Sequence, residues 1–265
     1  MCRWAAYTGA PIYLEEIVAT PGHSLIRQSL SALRCHTAVN ADGFGVAWYG
    51  DRAIPGLYRD VMPAWSDPNL RSLTATVRSA LFMAHVRAST GTATSRNNCH
   101  PFAVGNWCFM HNGQFGGYDR YRREAEAMIP DSLYGQRKGA TDSEALFLIA
   151  LGEGLEDDAC AALERATARL EALARSRGEG PYVRLTCAFS DGRRLYAARY
   201  ASDEQAPTLF HRWSSSRAGR AVVSEPFDGE QDDWTEVPAG SFCTFEGEAV
   251  SIRPFRPSLA AAKAA

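Results

Sequence analysis

Apolar and polar positions do not keep a single period along this chain. Short β-rich apolar segments end at turn residues. Residues 44–49 follow the turn Ala41-Asp42-Gly43, residues 81–88 run into Ser89-Thr90-Gly91, and residues 107–110 run into His111-Asn112-Gly113. Residues 182–189 and 194–200 flank Ser190-Asp191-Gly192-Arg193 and predict a hairpin. Residues 220–224 and 240–253, the latter broken at Gly247, predict further strands. Between them, residues 25–33, 70–80 and 118–128 repeat apolar positions near helical spacing. Residues 143–151 and 158–176 are the strongest helical stretches, the second rich in Ala, Leu, Glu and Arg and ended by the breaker at 178–181. Strands in groups with helices gathered between and after them predict an α+β chain with largely antiparallel sheets.

Composition narrows this picture. At 265 residues one large domain or two small ones fit, and a sizeable core is affordable. The formal net charge of −2, with no cluster of Lys and Arg, argues against a dedicated nucleic-acid binder. No apolar run is long enough for a transmembrane helix, and the start lacks the sustained apolar stretch of a signal peptide before Glu15 and Glu16. Seven cysteines stand at scattered spacings, and most of them read as small buried hydrophobes in a reducing compartment, so a cytoplasmic protein is expected.

Four stations along the chain could carry chemistry. Cys2 follows an initiator Met that aminopeptidases remove when residue two is small. The exposed residue then offers a thiol and an α-amine, with ordinary pKa values of about 8.5 and about 7.7–8.0, so one residue supplies nucleophile and general base. Arg87 ends an apolar strand at a Ser-Thr-Gly turn and suits two-pronged binding of a carboxylate, as it would also suit a structural ion pair. Asn112-Gly113 is first of all a turn signal, and in the functional reading a source of two oxyanion donors, the Asn amide and the Gly N–H. Thr141 and Glu144 bracket Asp142 before an apolar helix and predict a capping box, on whose rigid end Asp142 could hold an ammonium group. Cys99, His100, Cys108 and His111 lack the paired short spacings of a zinc site, and Gly43-Phe44-Gly45 is too short and apolar for a phosphate loop. No metal or other cofactor is expected. A Cys2 dyad with His85 or His111 has no support from spacing.

Taken in order, these stations resemble the class II glutamine amidotransferase domains, which are N-terminal nucleophile hydrolases. The matching series is Met1-Cys2, then His85-Val86-Arg87 with Thr90-Gly91, then Asn97 with His100-Pro101-Phe102, then His111-Asn112-Gly113 and Thr141-Asp142-Ser143-Glu144. Met1-Cys2-Arg3, Gly9-Ala10-Pro11, the stretch from Asn40 to Val46 and Pro63-Ala64-Trp65-Ser66-Asp67 are more similar to the stand-alone members, among them the γ-glutamyl amidohydrolase of ergothioneine biosynthesis. The resemblance implies a single domain over residues 1–265, built as a four-layer αββα sandwich. It implies Cys2 as nucleophile, Asn112 and Gly113 as oxyanion hole, Arg87 with Thr90 nearby for an α-carboxylate, and Asp142 for an α-ammonium. Glutamine or a γ-glutamyl small molecule would be the substrate, cleaved through a thioester. An ammonia-accepting synthase as partner, or a glutamine-binding module without turnover, stays open. Sugar-amidotransferase members carry Trp after the Arg, where this chain has Ala88.

Overall fold

A computed structural model describes residues 2–33, 39–89, 92–177, 180–228 and 233–259. Thr90 and Cys35 lie outside the described residues, so the expectations placed on them are not addressed by it. The first half contributes β1 (Arg3–Tyr13), α1 (Glu15–Val18), α2 (Leu25–Leu30), β2 (Phe44–Trp48), β3 (Gly56–Asp60), α3 (Pro68–Thr76), β4 (Arg78–Val86), β5 (Phe102–Val104) and β6 (Trp107–Phe115). Then come α4 (Tyr118–Glu126), α5 (Asp131–Tyr134), α6 (Asp142–Gly152) and α7 (Ala159–Ser176). The chain closes with β7 (Val183–Ser190), β8 (Leu195–Ala201), β9 (Phe210–Ser214), β10 (Gly219–Val223), β11 (Thr235–Glu236), β12 (Ser241–Glu246) and β13 (Ala249–Pro254).

Two antiparallel sheets result among the described residues, one ordered β11-β9-β10-β1-β4-β2-β3 and the other β13-β12-β8-β7-β6-β5. Strand side chains alternate between faces, and the alternation divides the core into three apolar layers. Trp4 and Ala6 of β1, Leu81 and Met83 of β4, and Cys108 and Met110 of β6 pack between the sheets. Ala5 and Tyr7 of β1 with Phe82 and Ala84 of β4 face Ile17, Leu25 and Leu70 from the helical side. Phe109 and Phe115 of β6 face Phe147 of α6 and Leu163 and Leu170 of α7. Three apolar interfaces make four layers, helix–sheet–sheet–helix, which is the αββα sandwich of an α+β chain. Phe147 stacks on Phe109 with ring centroids 5.3 Å apart and planes 6° from parallel, fully buried. Phe147→Ala is therefore expected to cost about 3–5 kcal/mol, read as a lowered urea midpoint, because a helix and a sheet cannot both close over the vacated ring.

Local sequence explains where elements begin. Asp158 caps α7 by accepting from Cys160 N and Ala161 N at 3.0 and 3.1 Å, and Asp67 caps α3 by accepting from Leu70 N at 2.7 Å, with Pro68 at the first helical position. Two expectations are corrected. The helix predicted over 70–80 ends at Thr76, because Val77 turns extended and β4 starts at Arg78, which pairs with Tyr13 of β1. The apolar spacing of that stretch belongs partly to the strand. His111-Asn112-Gly113 forms no turn: β6 runs through it to Phe115, paired residue by residue with β7.

Candidate active site

Cys2 precedes β1, whose ladder with β4 begins at Arg3 opposite Val86. Cys2 therefore comes to rest beside Ala88, just past the end of β4. Its Sγ lies 3.5 Å from both the carbonyl oxygen and the amide nitrogen of Ala88, donating to one and accepting from the other. Two residues per repeat along each strand put Cys2 on the face of Trp4 and Ala6, Arg87 on the face of Leu81 and Met83, and Asn112 on the face of Cys108 and Met110. All three thus point into the layer between the sheets, at one end of it.

A cavity of about 330 Å³ opens there, lined by Cys2, Arg87, Gly113, Asp142, His100 and Tyr118 among others. Arg87 is buried, and its Nη1 donates to the Asp42 carbonyl at 3.1 Å while Nη2 donates to Ser89 Oγ and Thr92 Oγ1 at 3.0 and 2.7 Å. Asp42 also accepts from Ser89 N at 2.7 Å, which ties the turn after β4 to the turn before β2. Asp142, in the first turn of α6, accepts from Phe115 N at 2.8 Å and from Ser143 N at 2.7 Å. A carboxylate so held is fixed in direction, and the helix N-terminus favours its charge. A Cβ on Gly113 would stand 1.8 Å from the Arg184 carbonyl oxygen of β7, so only glycine lets β6 approach β7 this closely. Asn112 is not part of the cavity lining. It is 1% exposed, between the lining residues His111 and Gly113 in sequence, and among the described residues neither its amide nitrogen nor its amide oxygen has a hydrogen-bond partner.

The capping box expected at Thr141 and Glu144 is only half formed. Thr141 Oγ1 accepts from Glu144 N at 3.2 Å, but the Glu144 carboxylate does not turn back. It accepts instead from Lys138 N, Gly139 N and Arg137 Nη1 at 3.0, 2.8 and 2.9 Å. A buried carboxylate with two backbone donors and a guanidinium at hand gains more than one capping bond offers.

Burial raises the Cys2 thiol above its ordinary range, with the Ala88 N–H and the charges of Arg87 and Arg3 pulling the other way. The thiol is neutral at rest. The nearby histidines are poor bases. Burial pulls His85 down to about 3 and holds His100 and His111 below their ordinary range. His85 Nε2 donates to the His111 carbonyl at 3.3 Å, and His111 Nε2 donates to the Arg184 carbonyl at 3.3 Å, so Nδ1 of a neutral His111 accepts from Ser143 Oγ at 2.8 Å. Both ring nitrogens of His111 are thus engaged, and His85 Nδ1, which has no hydrogen-bond partner among the described residues, is left weakly basic by burial.

These rings set a pH dependence. In the unfolded chain each takes up a proton as pH falls through about 6.5, while the folded chain keeps them neutral, down to about 3 for His85. Unfolding then binds protons, so stability falls as pH falls below about 6.5, by about 1.4 kcal/mol per pH unit for His85, with His100 and His111 acting in the same direction. Thermal melts between pH 7 and pH 4.5 are expected to show a steep loss that His85→Phe makes shallower.

Sequence reasoning missed the Ala88 backbone as thiol partner and the clasp of Arg87 by Asp42, Ser89 and Thr92. Pairing of β1 with β4 brings the first together, and no spacing announces it. Asp42 lay in a recognisable turn, but its distance in sequence from Arg87 hid the contact.

Face-to-face antiparallel sheets between helical layers, with a cysteine at the head of the first strand opening on a cavity at one end of the inter-sheet layer, define the N-terminal nucleophile hydrolase fold. The chain belongs to the class-II glutamine amidotransferases, an enzyme family whose sequence model matches residues 21–263. A glutamine aminotransferase class-II domain protein from Silicibacter pomeroyi is 48% identical and superposes with a TM-score of 0.78, covering 97% of this chain and 100% of that one. The probable glutamine amidotransferase DUG3 of Saccharomyces cerevisiae is 34% identical over 96% of this chain and 84% of its own. The γ-glutamyl-hercynylcysteine sulfoxide hydrolase of Mycolicibacterium smegmatis is 29% identical over 90% of this chain and 92% of its own. No helix among the described residues is long and apolar enough to cross a membrane.

Proposed function

We propose that the protein hydrolyses the side-chain amide of glutamine or of a γ-glutamyl conjugate, with Cys2 as nucleophile once Met1 is removed. The observation that carries this reading is the gathering of Cys2, Arg87, Gly113 and Asp142 around one cavity. The α-amine of Cys2 takes the proton of the half-buried, neutral thiol, and Sγ attacks the γ-carbonyl carbon. The Asn112 amide and Gly113 N–H receive the oxyanion. The protonated amine passes its proton to the leaving nitrogen as the C–N bond breaks, leaving a γ-glutamyl thioester. Water then gives a proton to the amine, its oxygen attacks the thioester carbon, and the C–S bond breaks to release the γ-carboxylate and restore the thiol. Arg87 holds the α-carboxylate and Asp142 the α-ammonium of the glutamyl group, selecting a free amino-acid end over an internal glutamine. Thr90 is assigned to the carboxylate end on the family motif alone.

Residues 1–265 act in this reading as one amidotransferase domain in a reducing, cytoplasmic setting that keeps the thiol free. Hydrolysis by this route requires no ammonia-accepting synthase. The substrate named for the Mycolicibacterium relative makes a γ-glutamyl conjugate as suitable as glutamine. The test is a panel of glutamine, γ-glutamyl conjugates and their N-acetyl and α-amide derivatives, assayed by mass spectrometry on protein whose N-terminal mass is known. Turnover is expected only for compounds with both α-groups free, on chains beginning at Cys2. Equal turnover of the blocked derivatives, or full activity with Met1 retained, would overturn the reading.

A further inference from the structure

Arg3 follows the proposed nucleophile directly and is 1% exposed, an unusual place for a guanidinium. Its Nε lies 2.8 Å from Oε2 of Glu225, itself 2% exposed, and its Nη1 donates to the Cys2 carbonyl at 3.1 Å. The other oxygen of Glu225 accepts from Leu33 N at 2.9 Å and lies 2.6 Å from His23 Nε2. The Glu225 carbonyl accepts from Gln28 Nε2 at 3.2 Å. On the strand side, Trp4 N donates to Ser224 Oγ at 2.9 Å and Ser224 N to the Trp4 carbonyl at 3.0 Å. Glu225 is thus anchored to the α2 region and to the end of β10, and through Arg3 it reaches the backbone of Cys2.

Burying two charges costs several kcal/mol per ion, and an apolar pair of similar volume is often as stable or more so. Stability is therefore a weak reason for this pair. Position is a better one. Chain ends fray unless tied down, and the β1 ladder begins only at Arg3. Beyond its thiol contacts with Ala88, Cys2 is held through the Arg3 guanidinium. Holding its carbonyl sets the peptide plane from which amine and thiol project, and a reacting group needs placement to within about 0.5 Å.

We propose that Arg3 and Glu225 are positioning residues for Cys2, a buried ion pair that aims the terminal nucleophile and its own amine at the cavity. The inference rests on the reading of Cys2 as nucleophile. Arg3→Gln, Arg3→Lys and the double variant Arg3→Met/Glu225→Gln test it, through kcat and KM on a γ-glutamyl substrate and the rate of Cys2 alkylation by iodoacetamide. The double variant removes both charges together, so no buried charge is stranded and the fold is expected to hold.

In Arg3→Gln and the double variant, kcat is expected to fall about 10²-fold, as for a displacement of order 1 Å. KM should stay within a few-fold, because Arg87 and Asp142 are untouched, and alkylation of Cys2 should change in rate with the melting temperature retained. Arg3→Lys, which keeps a cationic donor near the carbonyl, should recover part of kcat. Wild-type kcat in the folded double variant, or kcat, KM and melting temperature falling together in all three, would overturn the proposal. Cys2→Ala as a control separates the two ideas: inactivity there beside wild-type kcat in the Arg3 variants removes only the positioning role, whereas activity in Cys2→Ala removes the nucleophile reading itself.

Discussion

Cys2→Ala is expected to abolish glutamate release, lowering turnover by about 10⁴-fold or more, the scale seen when a covalent nucleophile is deleted. The variant is informative because little else changes. Alanine at position two still allows Met1 to be removed, so the α-amine proposed as base stays in place. Cys2 precedes the β1 ladder and is only partly buried, so its loss leaves no core cavity. The melting temperature should therefore stay close to that of the parent. Cys2→Ser should retain a trace of activity, since the hydroxyl is a weaker nucleophile beside the same amine. The measurement is release of glutamate by mass spectrometry, with the N-terminal mass of each variant determined. Turnover in Cys2→Ala near the parent rate would remove Cys2 from the chemistry.

Asn112→Leu is expected to move activity and stability in opposite directions. The amide is buried and has no hydrogen-bond partner among the described residues, so the folded protein bears its desolvation without return. Replacing such a group by an apolar one of similar shape is neutral or stabilising. If the amide is instead reserved for an oxyanion, its loss costs about 2.7–4 kcal/mol of transition-state stabilisation, so kcat should fall by about 10²–10³-fold. KM should change little, because Arg87 and Asp142, the residues proposed to bind the far end of the substrate, are untouched. Parallel determination of kcat, KM and melting temperature checks this. An unchanged kcat would remove Asn112 from the oxyanion hole, and a collapsed melting temperature would show that the amide is held by the fold.

Much of the fold could be read from local pattern because the signals were local. The β7–β8 hairpin is marked by Ser190-Asp191-Gly192-Arg193, whose Asp191 side chain accepts from Arg193 N and Arg194 N at 2.8 Å each. The start of α7 is marked by the Asp158 cap, and that of α6 by Thr141. Local reading failed where pairing overrode it. Asn112-Gly113 is a turn signal, yet β7 on one side and β5 on the other hold β6 extended through and beside it. β1 escaped notice because Arg3-Trp4-Ala5-Ala6-Tyr7 mixes charge with small residues, and its identity as a strand comes from β4 and β10 on its two flanks.

By itself, the sequence determined the class of fold and the family through its ordered stations, and it marked Cys2, Arg87, Gly113 and Asp142 as candidate site residues. These are written in residue type and order, which survive without coordinates. Only the tertiary structure decided that they meet. Antiparallel pairing of β1 with β4 sets Cys2 beside Ala88, and the two-residue alternation turns Cys2, Arg87 and Asn112 into the same inter-sheet layer. It also decided that the neighbouring histidines stay neutral, that Glu144 serves a loop rather than its own helix, and that Arg3 reaches Glu225. Those facts depend on burial and on contacts between residues far apart in the chain, and neither quantity is a property of any local stretch of it.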